Sequence, residues 1–460
     1  MKLAGIAPLI IVAGCTAVGP DYKRPHIALT EQFVGGSQTP VVAVAMTPWW
    51  REYSDSMLTA LIEQGLATNL DIDSARERIR EAEANLRATG VNAAMDGSAE
   101  IDRTRSGGDG TSTTTGTNKE LSASLVLDIF GGIRREREAA IADLAAAQAD
   151  LEQVRLAWLA DVVSAYADAR YYQEAIALVR ETINAREETV KITAAQYQAG
   201  DATEYDLAEA QALLDAARAD LPDYLGQFNA NVFAIATLLD RPAAPLLKQM
   251  ERGAPQLRVL NTRQTGVPAD LLRNRPDVRY YEAILRSAVA DVGVATSDML
   301  PSLTLSGDVG IASGTQTWSF GPALSLPVFN QGALAAQRDA KLSIAKQAEI
   351  DWRSAVVSAV EDVQVAQSNL LQYRRRATAL QTSATSYGRA LALAQESYRG
   401  GAITLLDLLD TDRSTASARI SAASARNKAA KEWATLQISI GAGAAITGAK
   451  ANLAAAPAAQ

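Results

Sequence analysis

One histidine, His26, and one cysteine, Cys15, stand in a chain of 460 residues. That scarcity nearly excludes histidine-based triads, Cys/His zinc sites and disulfides, and no metal site is expected. No Gly-rich phosphate loop is visible. Carboxylates are what remains for chemistry, and two pairs share a spacing. Asp407 and Asp410 lie three apart in Ile403-Thr404-Leu405-Leu406-Asp407-Leu408-Leu409-Asp410, and Asp206 and Glu209 repeat that spacing in the first half. Residues three apart share one face of a helix. A ring of such carboxylates at a constriction favours cations and repels anions. Crowded like charges raise some pKa values, so acid pH would relax the repulsion. The same side chains at a helix start would instead complement its positive end.

Long helices must carry these residues. Aromatics are 5% of the chain and alanine is abundant, which favours closely packed helices over a sheet-rich globule. With 48% hydrophobic residues the chain can bury large cores. Length alone suggests about three domains. The net charge of −8 argues against a nucleic-acid partner. Residues 133–199 hold neither proline nor glycine, and Ala, Leu, Glu, Arg and Gln dominate. A continuous helix there would be about 100 Å long. Its apolar positions, such as Leu151, Leu156, Val162, Tyr166 and Val179, need neighbouring helices to cover them. Gly200 stops it, and a reverse helix follows over 203–239, kinked or split by Pro222.

The pattern then returns. Val162-Val163-Ser164-Ala165-Tyr166-Ala167-Asp168 recurs as Val356-Val357-Ser358-Ala359-Val360-Glu361-Asp362, and Tyr197-Gln198-Ala199-Gly200 as Tyr398-Arg399-Gly400-Gly401. Each time the order is hairpin, glycine, very long helix, glycine turn, return helix. The chain is one duplicated unit rather than three domains.

The second hairpin spans 301–329. Leu303, Leu305, Gly307, Val309 and Ile311 alternate with Ser302, Thr304, Ser306 and Asp308; after a turn at 313–317, Trp318, Phe320, Pro322, Leu324 and Leu326 alternate with Ser319, Gly321, Ala323 and Ser325. Each strand has about the 9–11 residues that a tilted strand needs to cross a bilayer. The first hairpin spans 97–129. Its second arm alternates clearly; its first is weak, with Ala99 and Ile101 as a lipid face and Arg103 near an interface. Its centre, 107–118, reads as an exposed Gly/Ser/Thr loop. Within hydrocarbon every backbone polar group needs a partner, so an open four-stranded sheet cannot span. Closed barrels need at least about eight strands, so transmembrane hairpins require several copies of the chain.

Around these lie Trp49-Trp50, read as packing anchors, and the helix caps Asp55 and Ser56. Helical spacing runs from Met57, is interrupted at Gly65 and at Asn69-Leu70-Asp71, and resumes over 74–90. Residues 241–267 read as a connector. In Arg273-Asn274-Arg275-Pro276-Asp277-Val278, Pro276 and Asp277 suit a helix start, and that helix runs to about 298.

At the amino terminus Lys2 precedes an apolar run over 3–12, too short to span a bilayer as a helix. It ends in Val12-Ala13-Gly14-Cys15, which resembles a bacterial lipobox. In such a box the cysteine thiol takes a diacylglyceryl group and the mature chain lies on the periplasmic side. Thr16, rather than the aspartate of an inner-membrane retention signal, favours the outer membrane. The tether Val18-Gly19-Pro20-Asp21-Tyr22-Lys23-Arg24-Pro25 follows. Lipobox and tether together resemble the TolC-like outer-membrane efflux channels, specifically the NodT-type lipoproteins that serve resistance–nodulation–division pumps. The Trp-Trp, Asn-Leu-Asp-Ile and Arg-Asn-Arg-Pro-Asp sets are also similar to that family's pattern, so the resemblance covers roughly 15–441.

That resemblance implies a mainly α fold with a small β part. The long helices of a homotrimer form an α-barrel, and four strands per protomer build a 12-stranded transmembrane β-barrel. It implies a signal peptide at 1–14, a lipid anchor and tether at 15–48, efflux repeats at 49–240 and 268–441, and a disordered Ala-rich tail at 442–460. It implies a passive exit duct for small toxic compounds, not an enzyme. The duct would be driven by an inner-membrane resistance–nodulation–division pump through a periplasmic adaptor. Its contacts would include outer-membrane lipid, with no cofactor beyond the diacylglycerol and N-acyl lipid on Cys15. Asp407 and Asp410 match the family's periplasmic constriction, with Asp206, Glu209 and Tyr398 as further gate positions. The adaptor would pack on the helix tips at Tyr197, Gly200, Gly400 and Gly401. The family's latching arginine falls on Ile403 here. A type I protein-secretion channel and a soluble periplasmic coiled-coil scaffold are the alternatives.

Overall fold

The computed structural model describes residues 17–34, 44, 46–258, 266–312 and 314–445. Cys15, Thr16, the apolar run before them, Ser313 and the tail from 446 lie outside the described residues. The chain divides into two compact units, each built from three segments, so each draws on both halves of the duplicated sequence. In chain order the elements are α1 (Ser56–Thr68), α2 (Leu70–Ala88), α3 (Val91–Ala94), β1 (Met95–Gly108), β2 (Thr111–Leu127), α4 (Gly132–Ala199), α5 (Glu204–Leu238), α6 (Ala243–Met250), α7 (Leu271–Asn274), α8 (Pro276–Ser297), β3 (Ser302–Ala312), β4 (Thr315–Ser325), α9 (Gln331–Arg399) and α10 (Leu405–Ser439). Short 3₁₀ turns precede α1 and α7. Among the described residues no helix is long and apolar enough to cross a membrane.

The first unit comprises the N-terminal segment to Ala28, Ala75–Asp150 and Asp277–Ala355. It holds one antiparallel sheet in the order β1-β2-β3-β4. The two hairpins are joined by pairing of β2 with β3, from Leu127 opposite Leu303 to Asn118 opposite Ala312. The expected exposed loop at 107–118 is strand instead: Arg103 pairs with Thr117, Arg105 with Thr115 and Ser106 with Thr114. Threonine's branched Cβ suits a pleated strand without any apolar alternation, which is why that arm was hidden. Only Asp109 and Gly110 remain in the turn, where Gly110 takes φ +86°.

The N-terminal tether is docked on this unit rather than free. Gly19 lies so close to α8 that a Cβ on it would sit 2.5 Å from the Gly293 Cα. The Val18 N–H donates to the Phe130 carbonyl at 2.9 Å. Asp21 meets the buried Arg135 at 2.7 Å. Tyr22 and Arg24 both donate to Glu282, Arg24 through Nε and Nη2 along one guanidinium edge, and Arg286 adds a third donor at 2.8 Å. The Gly-Pro-Asp-Tyr-Lys-Arg stretch is thereby a clasp. Burial alone would raise the Glu282 carboxyl, but hydrogen bonds from Arg24 and Arg286 hold it below the usual glutamate range. A depressed carboxyl contributes stability that is complete above its unfolded pKa and is lost as pH falls through the folded one. Docking should therefore persist at pH 5 and fail in stronger acid. Glu282→Gln gives up charged hydrogen bonds worth about 1.5–3 kcal/mol. Amide exchange over residues 17–28 should accelerate by roughly tenfold or more at pH 7; unchanged exchange would remove the clasp.

The second unit comprises Leu29–Ser74, Leu151–Pro276 and the chain from Val356. Its core is anchored by Trp49, Trp50 and Tyr53. The Tyr53 hydroxyl donates to the Ala430 carbonyl at 2.6 Å, and the Trp49 ring meets Trp433 edge to face. Asp55 caps α1 by accepting from the Leu58 N–H at 2.9 Å. Gly65 does not interrupt α1; a Cβ there would lie 2.2 Å from the Trp158 ring, so the glycine admits an aromatic. The break between α1 and α2 is Asn69 alone, whose side chain accepts from the Ile72 N–H at 3.0 Å. Pro222 does not split α5. Proline and Arg218, whose carbonyl loses its donor, both lie on exposed surface, so water can satisfy that group. The connector contains α6, which buries Leu246 and Met250. The tail expected to be disordered from 442 is packed over its first residues: Ala442 and Ala444 are buried, and Trp49 donates to the Ala442 carbonyl at 3.2 Å.

Candidate functional site

Two regions carry the candidate residues, one in each unit. In the second unit both long helices end in the same turn. The Gly200 N–H donates to Tyr197 and the Asp201 N–H to Gln196; in the repeat Gly401 donates to Tyr398 and Ala402 to Ser397. Gly200 and Gly401 take φ of +83° and +72°, the left-handed closure that glycine permits. Gly401 is therefore the counterpart of Gly200, and Gly400 lies one residue before the reversal.

Three residues on, the return helices begin with matched caps. Thr203 accepts from the Asp206 N–H at 3.2 Å while its own N–H donates to the Asp206 carboxylate at 2.8 Å. Thr404 and Asp407 repeat this at 3.3 and 3.1 Å. Both are reciprocal capping boxes. Asp206 and Asp407 thus have a structural task inside their own chain. Their carboxyls are held below the usual aspartate range, Asp206 first by the Thr203 N–H and Asp407 first by the Thr404 hydroxyl. Within one chain this is opposite to the rise expected from crowding.

Asp410 lies outside the cap, is exposed and pairs with Arg413 at 2.5 Å. Glu209 is half-buried on α5. Tyr398 is buried, and its hydroxyl donates to Gln196 at 2.6 Å, tying the end of α9 to the end of α4. Its sequence counterpart Tyr197 is 43% exposed, so the two helix tips differ in what they offer a partner. Ile403, at the position of the family's latching arginine, packs with Tyr398, Leu391, Leu405, Leu408 and Leu409. Ile403 thus makes an apolar contact at this position.

Sequence reasoning missed Arg186 and Asp412. Arg186 on α4 donates to Asp412 on α10 at 2.7 Å and to the Leu213 carbonyl on α5 at 2.7 Å. Both side chains are nearly inaccessible, at 9% and 11%. Their distance in the chain leaves no local signal.

In the first unit the sheet has two unlike faces. One carries Leu121, Leu125, Leu303, Val309, Ile311, Trp318, Phe320 and Leu324, aligned across the strands by the register. Trp318 and Phe320 are 75% and 71% exposed, an apolar surface awaiting cover. The other face is polar, and its cross-strand bonds join Ser98 to Ser122, Asn118 to Asp102 and Ser319 to Asp308. It also carries Asp96, Glu100 and Glu120, with the two glutamates directly opposite each other. These acids were not legible while 107–118 was read as loop, because the register was undefined.

Among the described residues no group of three or more His, Cys, Asp or Glu is placed to hold a metal ion. The family described as "Outer membrane efflux protein" matches residues 61–241 and 267–442. The chain is 36% identical over 448 residues to "Nodulation protein T" of Rhizobium leguminosarum bv. trifolii, covering 94% of this chain and 96% of that one. It is 27% identical over 441 residues to "Toluene efflux pump outer membrane protein TtgC" of Pseudomonas putida, covering 89% and 88%. Its fold is similar to the open state of the Neisseria gonorrhoeae MtrE outer membrane channel, with TM-score 0.84 and 28% identity over 93% of this chain and 98% of that one.

Proposed function

The chain belongs to the outer membrane efflux protein family and is an outer-membrane channel component of an efflux system; from that premise we propose that three copies close into a passive exit duct. The observation that carries this is the open sheet. Among the described residues β1 and β4 each leave one edge without a strand partner, and one face of the sheet between them is apolar and exposed. In hydrocarbon such edges must be sealed, and β1 of one copy against β4 of the next seals them. Three copies give twelve strands, within the range of closed barrels.

The polar face then lines the lumen and the apolar face meets lipid. The duct performs no catalysis. An inner-membrane resistance–nodulation–division pump supplies the energy, and a periplasmic adaptor joins pump to duct on the tips near Tyr197, Gly200, Gly400 and Gly401. Asp407 and Asp410, with Asp206, Glu209 and Tyr398, form the periplasmic mouth. Diacylglyceryl and N-acyl chains on Cys15 anchor the tether, each buried CH₂ contributing about 0.8 kcal/mol.

Sedimentation in detergent tests the duct. The purified chain should run as a trimer and conduct in planar bilayers; a stable monomer that still inserts into liposomes would overturn the reading. Intact mass should show Cys15 as the acylated first residue, and Cys15→Ser should lose that mass.

A further inference from the structure

Charge is segregated between the two faces of the sheet. The polar face holds Asp96, Glu100, Asp102, Glu120 and Asp308 and no base; the apolar face holds Arg103, Arg105 and Lys119 and no acid. All three bases are exposed, and no ion-pair partner is found for them among the described residues. The register also places them by height. The apolar belt starts at Leu127, Leu303 and Leu324, at the end of the sheet nearest the helices, and its last rung is Ile101, Lys119 and Ile311. Arg103 and Arg105 follow on the next rungs of that face, towards the hairpin turn.

At about 3.3 Å per residue and a tilt near 40°, Lys119 to Arg105 lie roughly 20–30 Å above the first rung. An outer-membrane barrel has an apolar band about 25 Å tall. The bases thus begin where the belt ends, at the level of the outer-leaflet headgroups. Charges on the lipid side of a barrel are tolerated at that interface and not at the midplane.

We propose that Arg103, Arg105 and Lys119 form a binding site on the outside of the barrel for the phosphate groups of phosphorylated glycolipid in the outer leaflet. Guanidinium forks bind phosphate bidentately, and Lys119 adds a point charge one rung below. The belt beneath, with Ile101, Leu121 and Val309, takes the acyl chains. The absence of any carboxylate on this face leaves the bases free for an external anion. The site rests on the assignment of this face to lipid.

Native mass spectrometry of the detergent-solubilised protein, titrated with bisphosphorylated lipid A, tests it. Each base near an anionic lipid surface contributes about fivefold in affinity, so the variant R103Q/R105Q/K119Q should bind roughly a hundredfold more weakly. Dephosphorylated lipid A should bind the wild type weakly, and E100Q/E120Q, on the opposite face, should bind as the wild type does. Equal binding by wild type and triple variant, equal binding of both lipids, or displacement by inorganic phosphate at the same concentration as by lipid would overturn the site. Conductance in phosphatidylethanolamine bilayers separates this outcome from failure of the duct itself: a duct without the lipid site conducts in both forms, whereas a chain that is no duct conducts in neither.

Discussion

Alanine at both Asp407 and Asp410 should raise single-channel conductance severalfold in planar bilayers and lower its preference for cations. Two causes could act, and single variants separate them. Asp407→Ala removes a gate carboxylate and also the capping box with Thr404, so it frays the start of α10. Asp410 lies outside that box, and its only described ion pair is with the exposed Arg413. Asp410→Ala therefore tests the electrostatic gate while the cap stays intact. A rise in Asp410→Ala assigns the barrier to charge; a rise confined to Asp407→Ala assigns it to the helix tip. Asp407→Glu keeps the charge and should stay near wild type. Unchanged traces in the double variant would remove these residues from the mouth. The pH dependence follows from the caps. Thr203 and Thr404 hold Asp206 and Asp407 ionised, so their contribution is complete above the ordinary aspartate pKa and disappears only as pH falls through the lowered value. Neither group takes up a proton between pH 7 and 5, so both capping boxes should hold across that window, with unchanged amide exchange at the starts of α5 and α10 as the check.

Arg186→Ala should be the most destabilising single change at a polar residue. Removing one partner of a buried pair leaves the other charge uncompensated, typically at about 3–5 kcal/mol. Here it also removes the bond from Arg186 to the Leu213 carbonyl, so α4, α5 and α10 lose a common tie. Arg186→Lys can serve one acceptor but not both in the same fork geometry, and should fall between. Replacing both partners, as in R186M/D412L, should recover most of the loss, because apolar pairs of similar volume substitute well for buried ions. Guanidinium titration of the detergent-solubilised protein provides the scale. A loss in Arg186→Ala below about 1 kcal/mol would mean that water reaches the pair and screens it.

Much of this architecture is written locally. Two long proline-free runs, the first also free of glycine, each closed by a glycine with positive φ and reopened by a threonine three residues later, define the duplicated helices without any tertiary information. Trp49 and Trp50 were readable as anchors because burial of large aromatics is the rule. What was hidden depends on partners distant in the chain. Gly65 resembled a break because the Trp158 ring that needs it is far away. Thr111–Leu127 resembled a loop in its first half because only the opposing β1 reveals the register. Pro222 resembled a split because exposure of its turn cannot be judged from the helix alone. The capping boxes were within reach of sequence reasoning: Thr-x-x-Asp ahead of an apolar run is a known helix start. The spacing from Asp407 to Asp410 leaves out Thr404, the residue that Asp407 bonds in its own chain.

The pairing of β2 with β3 also governs when the sheet can come into being. The two strands are separated by the whole of α4 to α8, so this contact has a long closing loop and forms late. A nascent chain that has completed only its first half exposes a lone hairpin, and an isolated two-stranded ribbon is marginally stable in water. Such an intermediate exposes an apolar face and two unsatisfied margins during transit through the periplasm. The first ribbon is therefore the part of the sheet most open to mispairing until the second arrives.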